Sequence, residues 1–140
     1  MIILQNKIMT AEQIKTILVV EDDPPILKTL VDKLTEEGFR IIEAHDGEEG
    51  LMIAGRDHPD LILLDIVMPK MDGMTMLKKL RQENEWGKSV PVILLTNLSP
   101  DEEKINKGIT EDEPAYYLIK TNWSLNDVVK KVRERLNRKT

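Results

Sequence analysis

The chain has 140 residues, a length that fits one domain better than two. Hydrophobic residues make up 41% and charged residues 32%, which allows a core and argues against wholesale disorder. Lysine and arginine total 20 against 25 acidic residues, and the net charge of −5 argues against a nucleic-acid-binding face. The absence of cysteine excludes disulfide scaffolds, thiolate metal sites and cysteine nucleophiles, and it is compatible with the cytoplasmic location that we expect.

The N-terminal residues match no pattern of secondary structure that we can interpret. The opening run MIIL is far too short for a signal-peptide core or a membrane span, so no membrane insertion is expected. We therefore expect residues 1–14 to be a leader or a frayed extension of unknown role. The remaining residues, 15–140, are expected to form the single domain.

From Thr16 onward, short apolar runs alternate with segments of helical periodicity. Three of the runs are continuously apolar, as expected for strands buried on both faces of a parallel sheet. The segments between them carry apolar residues with the spacing of amphipathic helices. The predicted strands are Ile17–Val20, Phe39–Ile42, Leu61–Leu64, Val92–Leu95 and Tyr116–Ile119. With right-handed crossovers, this alternation predicts an α/β fold, an open, doubly wound (βα)5 three-layer sandwich.

Capping residues mark the starts of several predicted helices. Asp23, which two prolines follow, is a predicted N-cap of the first helix. Asp46 and Glu49 have the spacing of a capping box at the start of the second helix. Ser124 is predicted to cap the last helix. The fourth helix, over Asp101–Ile109, is expected to be short because its sequence offers only two apolar anchors.

Polar residues follow four of the predicted strands, at the edge of an open parallel sheet where ligands bind. They are Glu21, Asp22 and Asp23 after the first strand, Asp65 after the third, Thr96 after the fourth and Lys120 after the fifth. Carboxylates gathered from two strands repel each other unless a hard divalent cation joins them, and an incomplete cage of oxygen ligands suits Mg²⁺. A hydroxyl and an ammonium group nearby would complement a phosphoryl group. The pattern therefore predicts phosphoryl chemistry on a carboxylate.

Four motifs, VVEDDPP, LILLDIVMPKMDG, ILLTN and YYLIKT, occur in this order along the chain. Together they resemble the receiver domain of two-component response regulators, in particular the stand-alone, chemotaxis-regulator-like members, from about Lys15 to Leu136. The resemblance implies a flavodoxin-like fold with a five-stranded parallel sheet of order 2-1-3-4-5. It also implies a signalling switch with no output domain of its own, which catalyses only its own phosphorylation and dephosphorylation.

The same resemblance implies a role for each acidic residue. Asp65 aligns with the phosphoacceptor, which attacks a phosphohistidine on a histidine kinase or a histidine phosphotransfer protein. Glu21 and Asp22 align with the acidic pair that holds Mg²⁺, Asp22 directly and Glu21 through water. The backbone carbonyl of Val67 is implied as a further metal ligand.

The remaining implied roles concern the phosphoryl group and the response to it. Lys120 would pair with the phosphoryl oxygens, Thr96 would hydrogen-bond one of them, and Tyr117 matches the aromatic residue whose rotation accompanies the movement of Thr96. The surface of the fourth helix, fifth strand and fifth helix would then bind a downstream effector protein or serve a phosphorelay. The resemblance leaves a phosphorylation-dependent dimer open.

Several positions depart from the usual pattern of this family. Asn97 replaces a small residue, and Thr121 stands where a proline, often in a cis peptide, follows the lysine. A cis bond without proline costs about 2.5–4 kcal/mol, so we expect a trans peptide between Lys120 and Thr121. Val67 and Leu98, which flank the approach of the hydrolytic water in the family, are both apolar. We therefore hypothesise a long-lived aspartyl-phosphate, because no polar side chain at these positions orients the water.

Two other functions stay open at this point. The chain can be a receiver-like protein-interaction module that never takes a phosphoryl group. A more remote alternative is a phosphatase with an aspartate nucleophile, although that class usually has a second acid where this chain has Val67. His45 and His58 lack metal-ligand spacing, and we expect both to be exposed turn residues.

Overall fold

Alternating strands and helices make up most of the chain. In the computed structural model, the described residues are 2–4, 7–96, 115–119 and 124–137. The strands are β1 (Ile2–Leu4), β2 (Lys7–Met9), β3 (Thr16–Val20), β4 (Arg40–Ala44), β5 (Leu61–Asp65), β6 (Val92–Thr96) and β7 (Ala115–Ile119). The helices are α1 (Pro24–Glu36), α2 (Gly47–Asp57), α3 (Gly73–Glu83), α4 (Glu85–Ser89) and α5 (Leu125–Leu136), and Ala11–Gln13 form a 3₁₀ turn.

The five strands from β3 to β7 form one parallel sheet in the order β4-β3-β5-β6-β7. Counted along the chain from β3, this is the order 2-1-3-4-5, so the predicted flavodoxin-like fold is confirmed. The carboxyl ends of β3 and β5 lie side by side at the centre of the sheet, with Val20 paired to Leu64. Residues that follow these two strands are therefore brought together by the topology alone.

Two hydrophobic clusters cover the two faces of the sheet. In β3, β5 and β6, even-numbered residues such as Leu18 pack with α2, α3 and α4, and odd-numbered residues such as Ile17 pack with α1 and α5. Successive side chains of a strand point to opposite faces, so a strand covered on both sides needs apolar residues at every position. This explains the continuous apolar runs in the sequence.

The second strand of the parallel sheet begins at Arg40 and ends at Ala44, so the predicted bounds, Phe39–Ile42, were wrong at both ends. The Phe39 N–H donates to the Leu34 carbonyl of α1 (3.1 Å) instead of entering the sheet. Gly38, with φ of 99°, makes the left-handed turn that this helix ending requires. Phe39 is thus an apolar residue of a helix end, which its side chain alone does not reveal.

Two of the predicted helix caps are formed by side chains. The Asp46 carboxylate accepts from the Glu49 N–H (2.9 Å), while the Glu49 carboxylate lies against His45 (3.2 Å to Nδ1) and does not complete a capping box. Ser124 and Asp127 form a reciprocal box, in which each side chain accepts from the other residue's N–H (3.2 and 2.8 Å). Both helix starts are therefore confirmed.

The start of α1 agrees with the prediction in position but not in mechanism. Asp23 occupies the N-cap position, and its side chain makes no capping hydrogen bond. Pro24 and Pro25 fill the first two helical positions and have no N–H, so one of the two usual donors to a capping side chain is missing.

The N-terminal residues contain a small antiparallel hairpin. β1 pairs with β2 in the register Ile2–Met9, Ile3–Ile8 and Leu4–Lys7. The expected frayed extension was therefore wrong for residues 2–4 and 7–9. The signal was the apolar triplet Ile2–Leu4 and the apolar pair of Ile8 and Met9, with two residues between the strands, since a two-residue connection is typical of hairpins. The role of residues 1–14 and the domain start at residue 15 stay predictions. None of the described helices combines the length and apolar character needed to cross a bilayer.

Candidate metal and phosphoryl site

Three carboxylates meet at the carboxyl ends of the two central strands. Glu21 and Asp22 follow β3, Asp65 is the last residue of β5, and one oxygen of each lies within 4.8 Å of the others. Glu21 is 1% exposed and Asp65 is 3% exposed, whereas Asp22 is exposed. The cluster thus consists of two buried carboxylates with a third at the surface, and solvent reaches it from the side of Asp22.

Backbone hydrogen bonds fix the loops that carry this cluster. The Glu21 N–H donates to the Ala44 carbonyl at the end of β4 (3.0 Å), and the Glu21 carboxylate accepts from the Asp23 N–H (3.3 Å). Directly after Asp65, the Ile66 N–H donates to the Leu95 carbonyl of β6 (3.0 Å). The backbone at Glu21 and directly after Asp65 is therefore tied to neighbouring strands, which limits how far the two loops can move apart.

The start of α3 lies against the backbone of the central acidic residue. A Cβ on Gly73 would collide with the Asp65 carbonyl oxygen and would lie 2.9 Å from the Ile66 Cα. The Gly73 N–H donates to the Ile66 carbonyl (2.8 Å). Glycine is needed here because the helix approaches the strand end too closely for any side chain.

The loop between β5 and α3 is also held to the start of α2. A Cβ on Gly47 would collide with the Met71 carbonyl oxygen, and the Lys70 Nζ lies 3.6 Å from the Asp46 carboxylate. Lys70 has a φ of 65°, in the left-handed region that few residues with side chains adopt. The pKa of Asp46 is lowered, first by its hydrogen bond from the Glu49 N–H and less by Lys70. Both Asp46 interactions favour the ionised carboxylate.

The structure places Val67 in the same loop with its side chain 62% exposed. Thr96 ends β6, next to Leu95, which pairs with Asp65, and Ile119, the residue before Lys120, pairs with Thr96. The carboxyl ends of β3, β5, β6 and β7 therefore lie at one edge of the sheet. Several of the predicted positions lie outside the described residues. They are the side chains of Thr96 and Tyr117, the residues Asn97, Leu98, Lys120 and Thr121 with the peptide after Lys120, and the predicted fourth helix.

The side chains of the two histidines contact Glu49 and Trp86 and do not belong to the acidic cluster. Both are exposed, as predicted. The His45 ring lies 3.2 Å from the Glu49 carboxylate, and the His58 ring stacks on Trp86 with centroids 4.1 Å apart. In the part of the chain that the structure describes, neither joins a group of metal-ligating side chains.

The donor set of the cluster fits a magnesium ion. Carboxylate oxygens are the ligands that Mg²⁺ prefers, and an ion with one or two protein carboxylates completes its shell with water and phosphate oxygens. Two buried carboxylates and a third beside them are also costly without a counter-charge. Glu21, Asp22 and Asp65 can therefore hold a divalent cation at this edge of the sheet.

Comparison with known proteins identifies the family of this chain. At the level of families, residues 17–133 match the response regulator receiver domain. The chain therefore belongs to the response regulator receiver domain family, whose members are signalling domains of two-component systems. It is 36% identical over 123 residues to the probable transcriptional regulatory protein TcrX of Mycobacterium tuberculosis, a match that covers 88% of this chain and 50% of TcrX. The chain spans about a third to a half of the curated relatives that it matches.

Solved structures lead to the same family. The receiver domain of the Francisella response regulator 1452 is 32% identical, with a TM-score of 0.78 over 89% of this chain and 98% of that one. The receiver domain of the sensor histidine kinase PA1611 from Pseudomonas aeruginosa is 25% identical, with a TM-score of 0.79 over 89% and 99% of the two chains. That structure has a magnesium ion coordinated in its active-site cleft.

Proposed function

We propose that this chain is a phosphorylatable receiver that takes a phosphoryl group onto Asp65 from a phosphohistidine of a histidine kinase or phosphotransfer protein. The proposal rests on one observation: Glu21, Asp22 and Asp65 bring ligand oxygens within 4.8 Å at the ends of adjacent strands. Family membership supplies the expected partner class, because receiver domains act with histidine kinases.

In the proposed reaction, a carboxylate oxygen of Asp65 attacks phosphorus. The bond from phosphorus to the histidine nitrogen breaks and leaves its electron pair on the nitrogen, while a bond from phosphorus to the Asp65 oxygen forms. Glu21, fixed by the Asp23 N–H, and Asp22 at the surface would hold Mg²⁺ together with the Val67 carbonyl. When bound, Mg²⁺ supplies positive charge that offsets the negative charge of the phosphoryl group.

The response to phosphorylation is part of the same proposal. Thr96 hydrogen-bonds a phosphoryl oxygen, Lys120 pairs with the others, and the Tyr117 ring rotates as Thr96 moves. These changes favour binding of a downstream effector or a phosphorelay partner at the surface of the predicted fourth helix (Asp101–Ile109), β7 and α5. The net charge of −5 favours a protein partner over direct contact with nucleic acid.

Acetyl phosphate tests the proposal without a cognate kinase. The chain is incubated with acetyl phosphate and MgCl₂, and its intact mass is measured. We expect a gain of one phosphoryl group, which is absent in Asp65→Ala and in the presence of EDTA. Circular dichroism of Asp65→Ala checks that the variant is folded. No gain in the folded wild type, or an undiminished gain in the variant, would contradict the proposal and favour a non-phosphorylated interaction module.

The lifetime of the modified form gives a second readout from the same sample. Val67, two residues after Asp65, presents an apolar side chain to solvent and cannot orient an attacking water. We expect the phosphorylated form to persist after the donor is removed, and Val67→Asn to shorten its half-life. A wild-type half-life of only seconds would contradict the hypothesis of a long-lived aspartyl-phosphate.

A further inference from the structure

An open groove of about 460 Å³ runs between α2 and α3, and its lining includes none of the three carboxylates of the acidic cluster. We call it the α2–α3 groove. It is lined by Glu48, Leu51, Met52, Gly55, Met71, Glu83 and Asn84. Its volume lies within the range of about 300–1,000 Å³ that is usual for ligand pockets. The proposed phosphoryl chemistry does not use this surface.

Four of the lining residues form one face of α2. Glu48, Leu51, Met52 and Gly55 are spaced i, i+3, i+4 and i+7, which places them in a row along the helix. At a rise of 1.5 Å per residue, this row is about 10 Å long. The groove therefore has the length of two helical turns.

The middle of the groove is apolar and accessible. The Met52 side chain is 60% exposed, and Leu51 and Met71 beside it are half-buried. Methionine is a flexible, polarisable side chain that is common on surfaces that bind helical peptides. Gly55 widens the groove, because a Cβ placed there would meet no atom within 4 Å.

The ends of the groove are acidic. Glu48 lies in the first turn of α2 and Glu83 is the last residue of α3, so the two carboxylates lie at opposite ends. Both are exposed, and neither makes an ion pair with any residue that the structure describes. Two of the cations on neighbouring segments are paired with other carboxylates, Lys70 with Asp46 and Lys88 with Glu85. These carboxylates repel anionic lipid and nucleic acid and attract a basic partner.

We propose that the α2–α3 groove docks an amphipathic helix of a partner protein, in which apolar side chains lie between two lysine or arginine residues about two turns apart. The apolar side chains contact Leu51, Met52 and Met71, and the two basic residues face Glu48 and Glu83. Helix-in-groove recognition reads such a pattern of anchors along one helix face. The proposal does not depend on phosphorylation of Asp65.

The test uses the full chain and a synthetic peptide of this pattern. The probe is a short, capped helical peptide with two central leucines and a lysine one turn before and one turn after them, and binding is followed by ¹H–¹⁵N NMR titration. We expect chemical-shift changes in α2, Met71 and the end of α3. A peptide with glutamate in place of lysine should bind at least about tenfold more weakly.

Substitution of Gly55 provides a matched pair of variants. Gly55→Arg places bulk and positive charge in the groove without an internal clash, whereas Gly55→Ala adds one methyl group. We expect Gly55→Arg to weaken peptide binding about tenfold or more relative to Gly55→Ala, and both variants to react normally with acetyl phosphate. Circular dichroism shows whether both variants are folded, so this test stands apart from the test of Asp65.

Three outcomes would overturn the docking proposal. The first is equal peptide affinity for Gly55→Arg and Gly55→Ala. The second is a set of chemical-shift changes that falls outside the groove. The third is a concentration-dependent dimer of the wild type that Gly55→Arg abolishes, measured by sedimentation, because the groove would then belong to a second copy of this chain.

Discussion

At the carboxyl edge of the sheet, Glu21, Asp22 and Asp65 bring three like charges within 4.8 Å, whereas at the amino edge charges of opposite sign meet. There the Arg133 guanidinium donates to the Glu37 carboxylate (3.1 Å) and carbonyl (3.2 Å) and lies over the Phe39 ring at 5.1 Å. The amino edge thus joins α5 to the residues that follow α1, while the carboxyl edge gathers three carboxylates. Local conflict of this kind is expected where a fold is shaped by function.

The largest expected effect tests how tightly the backbone is packed at the carboxyl edge. Gly73→Ala forces a methyl group into the Asp65 carbonyl, so we expect the free energy of unfolding to fall by about 3 kcal/mol. The matched control, Gly55→Ala, adds the same methyl group in open space and should stabilise by about 0.4–1 kcal/mol. Urea unfolding of both variants measures the difference. Equal stabilities would contradict the close approach at Gly73.

The next prediction tests the repulsion itself. Asp22→Asn removes one of three neighbouring charges, so at low salt and without Mg²⁺ we expect about 1–3 kcal/mol of added stability. MgCl₂ should stabilise the wild type by about 1.4 kcal/mol at ten times its dissociation constant and the variant much less. Thermal unfolding with MgCl₂ or EDTA measures both effects.

Asp32→Asn is the matched control for that variant. Asp32 pairs with Lys28 on the exposed face of α1, with 2.9 Å between Nζ and the carboxylate oxygen. Loss of this pair should lower the free energy of unfolding by about 0.2–0.5 kcal/mol, and Mg²⁺ should not change this loss. A loss of stability in Asp22→Asn without Mg²⁺ would mean that the carboxyl edge is not under electrostatic strain.

A smaller effect is expected from the paired charges of the amino edge. Arg133→Ala removes both the ion pair with Glu37 and the contact with Phe39, and should cost about 1 kcal/mol of unfolding free energy. Arg133→Lys should recover part of this loss, because it keeps the charge but not the planar group. Urea unfolding with and without MgCl₂ should give the same difference in unfolding free energy between Arg133→Ala and the wild type. A difference that depends on Mg²⁺ would mean that the amino edge is coupled to the carboxylates at the carboxyl edge.

The smallest effect is a pH dependence at the start of α2. The hydrogen bond from the Glu49 N–H, and to a lesser degree Lys70, lowers the pKa of Asp46 from its usual 3.8. The stability from this charge is therefore fully present above about pH 4 and is lost as the pH falls through the lowered pKa. Asp46→Asn keeps the cap acceptor, so it should lose only about 0.5 kcal/mol at pH 7 and progressively less below pH 4. Urea unfolding across this pH range measures the difference in unfolding free energy between the wild type and Asp46→Asn. A difference that does not change with pH would contradict the lowered pKa of Asp46.

The sequence predicted the sheet and its acidic edge because both depend on local patterns. Continuous apolar runs identify strands buried on both faces, and the residues after them must meet at one edge. The start of β4 was misplaced because Phe39 is apolar, and only its N–H bond to Leu34 assigns it to the end of α1. The hairpin at the N-terminus was missed because its two strands are only three residues long.

The α2–α3 groove could not be predicted from the sequence for a different reason. The row from Glu48 to Gly55 can be recognised on a helix, but Met71 and Glu83 join it only through the packing of α3 beside α2. Contacts between elements depend on the tertiary structure and have no periodic signal in the sequence. The roles of Thr96, Tyr117 and Lys120 stay predictions, since they depend on side chains that the structure does not describe.

Met71 contacts two different parts of the molecule. It lines the α2–α3 groove, and it lies in the loop that joins Asp65 to α3. Its carbonyl is in contact with Gly47 at the start of α2. A helix seated in the groove would therefore contact the loop that begins directly after Asp65. If helix binding and modification of Asp65 are coupled, thermodynamic linkage requires reciprocity: the factor by which modification alters peptide affinity equals the factor by which the peptide shifts the modification equilibrium.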